Sequence, residues 1–116
     1  MLPRRHRLSL RKDADAIYRE GKRIQGKYFA IIVADQKEKS NTKIAVVVSR
    51  KVAKLAVERN RLRRRATQAI RLHLNELENG YNIICTAGKA SGNASFDQLH
   101  ESILNDLKNT GVVMEK

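Results

Sequence analysis

With 116 residues and one cysteine, the chain has room for a single modest core and excludes an internal disulfide framework. Its 24 Lys and Arg against 12 Asp and Glu leave a net charge of +12 and a pI of about 10.4, which points to a polyanionic partner. No apolar run approaches the roughly 18 residues of a spanning helix, and no signal-peptide core follows Met-Leu-Pro-Arg-Arg-His-Arg, so the expectation is a cytoplasmic protein with no membrane partner.

Residues 1–9 form a basic arm, with Arg4, Arg5, His6 and Arg7 around Pro3, expected to be irregular. Ser9 or a neighbour can cap a first helix, in which Leu10, Ala14 and Ile17 follow helical spacing, Tyr18 lies beside them and Gly21 is the stop. Residues 27–35 read as a strand buried on both faces. Tyr28, Ala30, Ile32 and Ala34 share one face, and Phe29, Ile31 and Val33 the other. After a polar turn at 36–41, residues 43–49 form a second strand, so 27–49 is predicted to be an antiparallel hairpin. A short extra strand fits near 22–26.

Residues 50–55 lead into a basic helix over about 56–77. Between 50 and 71 lie nine cations (Arg50, Lys51, Lys54, Arg59, Arg61, Arg63, Arg64, Arg65 and Arg71) and a single acid, Glu58. Leu62, Ala66, Ala69, Ile70, His73 and Leu77 make one apolar face at a 3.6-residue period. Asn60, Arg61, Arg64 and Arg71 project away from it, and Arg63 and Arg65 border it. The helix can dock on a core and still present guanidinium groups, whose planar forks bind phosphate oxygens and stack on bases. Asn79-Gly80 is read as its end. Residues 81–86 are a third long strand, in which Cys85 is a small buried hydrophobe, and 87–94 a small-residue loop. Ser95-Phe96-Asp97-Gln98 has the form of a capping box, opening a last helix with Phe96, Leu99, Ile103, Leu104 and Leu107 on its apolar stripe and Gly111 at its end.

The fold class is α+β: a single-domain α/β sandwich over 1–116, order α-β-β-(β)-α-β-α, with a βαβ crossover through the basic helix. The general rule favours a right-handed crossover. The side chains offer no catalytic constellation. His6, His73 and His100 are scattered, zinc spacing is absent, and no Gly-rich phosphate loop or nucleophile elbow occurs. A reactive centre, if one is involved, is expected elsewhere.

The run Glu58-Arg59-Asn60-Arg61-Leu62-Arg63-Arg64 resembles the Arg-Asn-Arg signature of the protein subunit of bacterial ribonuclease P. Its context agrees over nearly the whole chain. Arg7-Leu8 opens it, a helix with Tyr18 ends at Gly21, and Val46-Val47-Val48-Ser49-Arg50-Lys51 precedes the signature. Tyr81-Asn82-Ile83-Ile84 and an amphipathic final helix follow. The resemblance implies an endoribonuclease holoenzyme whose RNA subunit holds Mg2+ and removes the 5′ leader of precursor tRNA. The side chains alone would bind no cofactor. It further implies a left-handed crossover.

By the same resemblance, Arg4, Arg5, Arg7, Arg50, Lys51, Lys54, Arg59, Asn60, Arg61, Arg64 and Arg65 face the catalytic RNA. Tyr18, Tyr28, Ala30, Ile32, Arg63 and Thr67 belong to a leader-binding cleft. The partners are ribonuclease P RNA and precursor tRNA, with no DNA. The chain departs from the family at Ala14 and Ile32, where aromatics are usual or frequent, at Thr67, where a basic residue is frequent, and at Gly88, where arginine is usual. With those platforms gone, leader binding is expected to lean on phosphate contacts, with Tyr18, joined by Tyr28, as the stacking candidate. The competing reading is a generic basic RNA-binding module, such as a ribosomal protein or RNA chaperone.

Overall fold

A computed structural model describes residues 2–36 and 40–113. The elements run α1 (Leu10–Glu20), β1 (Lys22–Gln25), β2 (Phe29–Asp35), β3 (Lys43–Val47), α2 (Ala56–Arg71), β4 (Tyr81–Ala87) and α3 (Phe96–Thr110). Short 3₁₀ turns at Arg4–His6, Leu74–Glu76 and Lys89–Asn93 complete the chain. The radius of gyration, 13.2 Å, matches the roughly 13.4 Å expected of one compact unit of this length.

The four strands lie in the order β1-β2-β4-β3. This overturns the predicted hairpin between β2 and β3. β4 sits between them, antiparallel to β2 (Ile31 opposite Cys85) and parallel to β3 (Val46 opposite Cys85). The hairpin that does form joins the short extra strand, β1, to β2, with Gly26 N–H donating to the Phe29 carbonyl at 2.8 Å. The reason lies in what the inner position demands. Tyr81-Asn82-Ile83-Ile84-Cys85-Thr86-Ala87 carries three fully buried side chains in a row, so it suits the centre of the sheet. The polar turn at 36–41 lies partly outside the described residues.

Each face of the sheet has its own core. On one, Phe29, Ile31, Ile44, Ile83 and Cys85 pack against Leu62, Ala66, Ala69 and Ile70 of α2 and Leu99, Ile103 and Leu107 of α3. On the other, Ile32, Ala34 and Ile84 pack against Leu8 and Ile17, the latter from α1. Burial pushes the Cys85 thiol up to about 12, helped by the nearby Asp106 charge, so this cysteine is an inert hydrophobe as expected.

Two boundaries differ from expectation. The basic helix ends at Arg71 rather than near 77. The chain then takes a 3₁₀ turn, which still buries Leu77, and Gly80 enters β4 at φ 97°. Gly21 does stop α1, but in an extended conformation, φ −74°. Its requirement is close approach: a Cβ there would stand 2.5 Å from the Ile17 carbonyl oxygen and 2.6 Å from Ile32 Cγ2. At Gly111, by contrast, φ is 82° and the glycine ends α3 in the left-handed conformation.

Candidate nucleic-acid interface

The basic helix begins without a side-chain cap: Leu55 occupies that position and offers no acceptor. Arg59 supplies order of another kind. Its Nη1 donates to the carbonyl oxygens of Ala53 (3.1 Å) and Lys54 (2.8 Å), tying the helix to the segment that leads into it. One turn on, Arg63 Nη1 donates to Asn60 Oδ1 at 2.8 Å. Two of the three residues of the Arg-Asn-Arg triplet are thus engaged in holding the helix start and its neighbours in place.

Arg61 and Arg64 remain outward and exposed, and Arg65 is half-buried. Among the described residues no carboxylate lies within ion-pair distance of any of the three. Arg50, Lys51 and Lys54 are exposed on the lead-in. The result is a helix and lead-in bearing several exposed cations, with the helix's opposite face sealed into the core. A rigid array of guanidinium groups without internal counter-charges can bind phosphates with little reorganisation.

The N-terminal arm is more structured than expected. Arg4–His6 forms a 3₁₀ turn, Leu2 and Leu8 are buried, and Leu8 N–H donates to the Ile44 carbonyl on β3. The buried His6 places Nδ1 2.8 Å from the Thr42 carbonyl oxygen, and Arg7 Nε donates to the Leu2 carbonyl. Arg4 and Arg5 are exposed on this docked segment, as is Arg7 beside the carbonyl it bonds. Residue 1 lies outside the described residues.

The expected leader cleft is only partly brought together. Ala30 and Ile32 are buried, and Ile32 lies in the same layer as α1, which also carries the half-exposed Tyr18. Tyr28 is not with them. It is 8% exposed, belongs to the opposite core and lines a recess against α3. The alternation begins only at Phe29, because Tyr28 still belongs to the turn, where its carbonyl accepts from Gly88 N–H at 2.7 Å. Arg63 (exposed) and Thr67 (half-buried) sit on α2, whose buried stripe belongs to the other face of the sheet.

Sequence reasoning missed the segment after β4. It forms the Lys89–Asn93 turn and faces the start of α2, so that Lys89 and Asn93 line a recess of about 460 Å3 together with Arg61 and Arg65. The hints were Lys89, one lysine in an otherwise small and uncharged stretch, and its neighbour Gly88, where the resemblance implies an arginine. His73 and His100 do meet, Nε2 to Nε2 at 2.7 Å, with Glu76 on the far nitrogen of His73. Among the described residues no group of three His, Cys, Asp or Glu side chains could hold a metal ion, and no helix is long and apolar enough to cross a membrane.

Comparison with known proteins points the same way. Residues 2–111 match the family model described as Ribonuclease P. A ribonuclease P protein component from a Pseudanabaena species is 33% identical over 113 residues, covering 97% of both chains. One from Clostridioides difficile is 37% identical over 106 residues, covering 89% of this chain and 91% of the relative. The solved RNase P protein of Thermotoga maritima superposes with a TM-score of 0.81 at 29% identity, over 90% of this chain and 97% of that one.

Proposed function

Because this chain belongs to the ribonuclease P protein family, we propose that its arginine surface binds the catalytic RNA of that enzyme, and that the α1 side of its sheet receives the 5′ leader of precursor tRNA. As a ribonuclease P protein component it is a subunit of an endoribonuclease and takes part in tRNA 5′ processing. Hydrolysis then falls to the RNA, which is expected to hold the Mg2+, and the protein contributes binding and electrostatics in the cytoplasm.

The observation that carries this reading is the pair Arg61 and Arg64: exposed, without a carboxylate partner among the described residues, and on a helix whose other face is fully buried. Arg50, Lys51, Lys54 and Arg65 extend that surface, with the arm's Arg4, Arg5 and Arg7 as further contacts to the same RNA. Arg59 and Asn60 act by setting the helix start as well as by contact. On the α1 side, Tyr18 is the proposed leader contact, with the buried Ala30 and Ile32 forming the floor behind it, while Arg63 and Thr67 lie on α2 over the opposite face and would reach the leader only where it passes that helix. With Tyr28 turned into the opposite core, Tyr18 is the one exposed stacking platform, so phosphate contacts should carry more of leader binding.

The deciding experiment is cleavage of a 5′-extended precursor tRNA at low magnesium by the RNase P RNA of the same organism, with and without the protein. Stimulation at the mature 5′ junction, lost in a folded Arg59→Ala/Arg61→Ala double variant, is the expected result. Tight RNA binding without stimulation would instead favour a general RNA-binding module. The leader role has its own check. Tyr18→Ala should weaken leader-dependent affinity by about 1–3 kcal/mol, the worth of one stacked base. An undiminished leader contribution would remove Tyr18 from the cleft.

A further inference from the structure

The recess between the start of α2 and the turn after β4 does not resemble the rest of the arginine surface. Val52, Val57 and Leu62 give it an apolar side, while Arg61, Arg65 and Lys89 converge on it from two separate elements. None of these three cations has an ion-pair partner among the described residues. Val57 is 62% exposed, and its neighbour Leu55 is 59% exposed. Two large aliphatic side chains left in solvent beside a cluster of unpaired cations suit a ligand that is apolar at one end and anionic at the other.

Two further groups narrow the chemistry. Glu58 lines the recess with no cation within ion-pair distance among the described residues, and Asn93 lines it too, with both a donor and an acceptor. A bare phosphate would be repelled by the carboxylate. A nucleoside offers it N–H and ribose 2′-OH donors, while its phosphate reaches the cations. A volume of about 460 Å3 falls within the ordinary range for small-molecule pockets, roughly 300–1,000 Å3.

We propose that this recess holds one unpaired ribonucleotide of the partner RNA, its base against Val52, Val57 and Leu62 and its phosphate among Arg61, Arg65 and Lys89. The inference rests on the RNA-binding reading above and adds a specific pocket to it. Such a pocket selects an RNA with an extrahelical nucleotide at the right place, which a flat basic face cannot do.

Filling the recess while leaving every charge in place tests this. A Cβ on Gly92 would stand 4.0 Å from the Val52 carbonyl oxygen, an ordinary contact, and Gly92 lines the recess, so Gly92→Leu should fold normally and project into it. Val57→Gln, at an exposed position, is the second variant. Affinity for the catalytic RNA would be measured over a range of salt, with nucleotide-resolution footprinting of the complex. Both variants should bind about tenfold more weakly with an unchanged salt slope, and one unpaired nucleotide protected by the wild type should become reactive. Lys89→Ala should weaken binding and flatten the slope by about 0.7–0.9, the value of one phosphate contact. If Gly92→Leu and Val57→Gln bind like the wild type and the footprint is unchanged, the recess is empty in the complex and the inference is overturned. A wild-type protein that failed to bind the RNA would sink the RNA-binding reading and the pocket with it.

Discussion

α2 and α3 bury comparable apolar stripes in the same core, yet they are specified by opposite means. α3 starts with a complete capping box, in which Ser95 Oγ accepts from Gln98 N–H and Gln98 Oε1 accepts from Ser95 N–H, and ends at a left-handed glycine. α2 has no side-chain cap at its start, ends at Leu72 without a left-handed glycine and carries adjacent like charges. The contrast separates two tasks. α3 is built to hold the core on its own. α2 relies on its packing, on the Arg59 brace and, in the proposed complex, on RNA phosphates that relieve its self-repulsion.

The hardest test of that contrast is Ile103→Ala, which opens a cavity on the α3 side of the shared core between Leu99 and Leu107. Unfolding in urea should show a loss of about 2–5 kcal/mol, while the fraction still folded binds RNA with unchanged affinity. Next comes Arg61→Ala/Arg64→Ala on α2. Stability should hold or rise slightly, because two repelling charges are gone. RNA affinity should fall on the order of a hundredfold, from two charge-assisted contacts of about 1.5 kcal/mol each. Retained affinity and salt slope would show that this face does not meet RNA. Ser95→Ala should cost about 1 kcal/mol in thermal or urea unfolding, a cost α2 cannot show because it has no such cap to lose.

The smallest effect concerns Asp106 on α3, which packs against Gly26 with Oδ2 buried and without a hydrogen-bond partner among the described residues. Burial holds its carboxyl above the usual carboxylate value of 3.8. The folded state therefore keeps this proton at pH values where the unfolded chain has released it. Stability should fall as pH rises through that window, and the loss persists at neutral pH. In Asp106→Asn this component should be absent. Urea unfolding across pH should show the variant gaining on the wild type as pH rises from acid to neutral, and parallel curves would contradict the assignment.

Much of this arrangement was legible in the residues because the signals were local. The Ser95…Gln98 box, the alternation from Phe29 onward and the Leu62-Ala66-Ala69-Ile70 stripe each follow from spacing within one element. What escaped was set by tertiary pairing. Residues 27–49 have the form of a hairpin, and nothing within them announces that 81–87 will come between the two strands. Tyr28 fits the period of β2 on paper but belongs to a turn tied to Gly88. The recess behind Arg61 joins residues some thirty positions apart, so no motif could have marked it.

The central place of β4 bears on how the chain comes to be folded during synthesis. β1 and β2 can pair as soon as both have been made. Among the described residues β3, apart from a single bridge between Ile44 and Arg7, has no neighbouring strand until 81–87 arrives. The basic helix is synthesised in that interval. A nascent chain ending near residue 80 would present two open strand edges beside a dense row of arginines. Completion of the sheet therefore waits on a distant segment, which slows folding and exposes the unfinished chain to association. Any pause that holds 81–87 inside the ribosome should prolong that exposure, and release of that segment should end it.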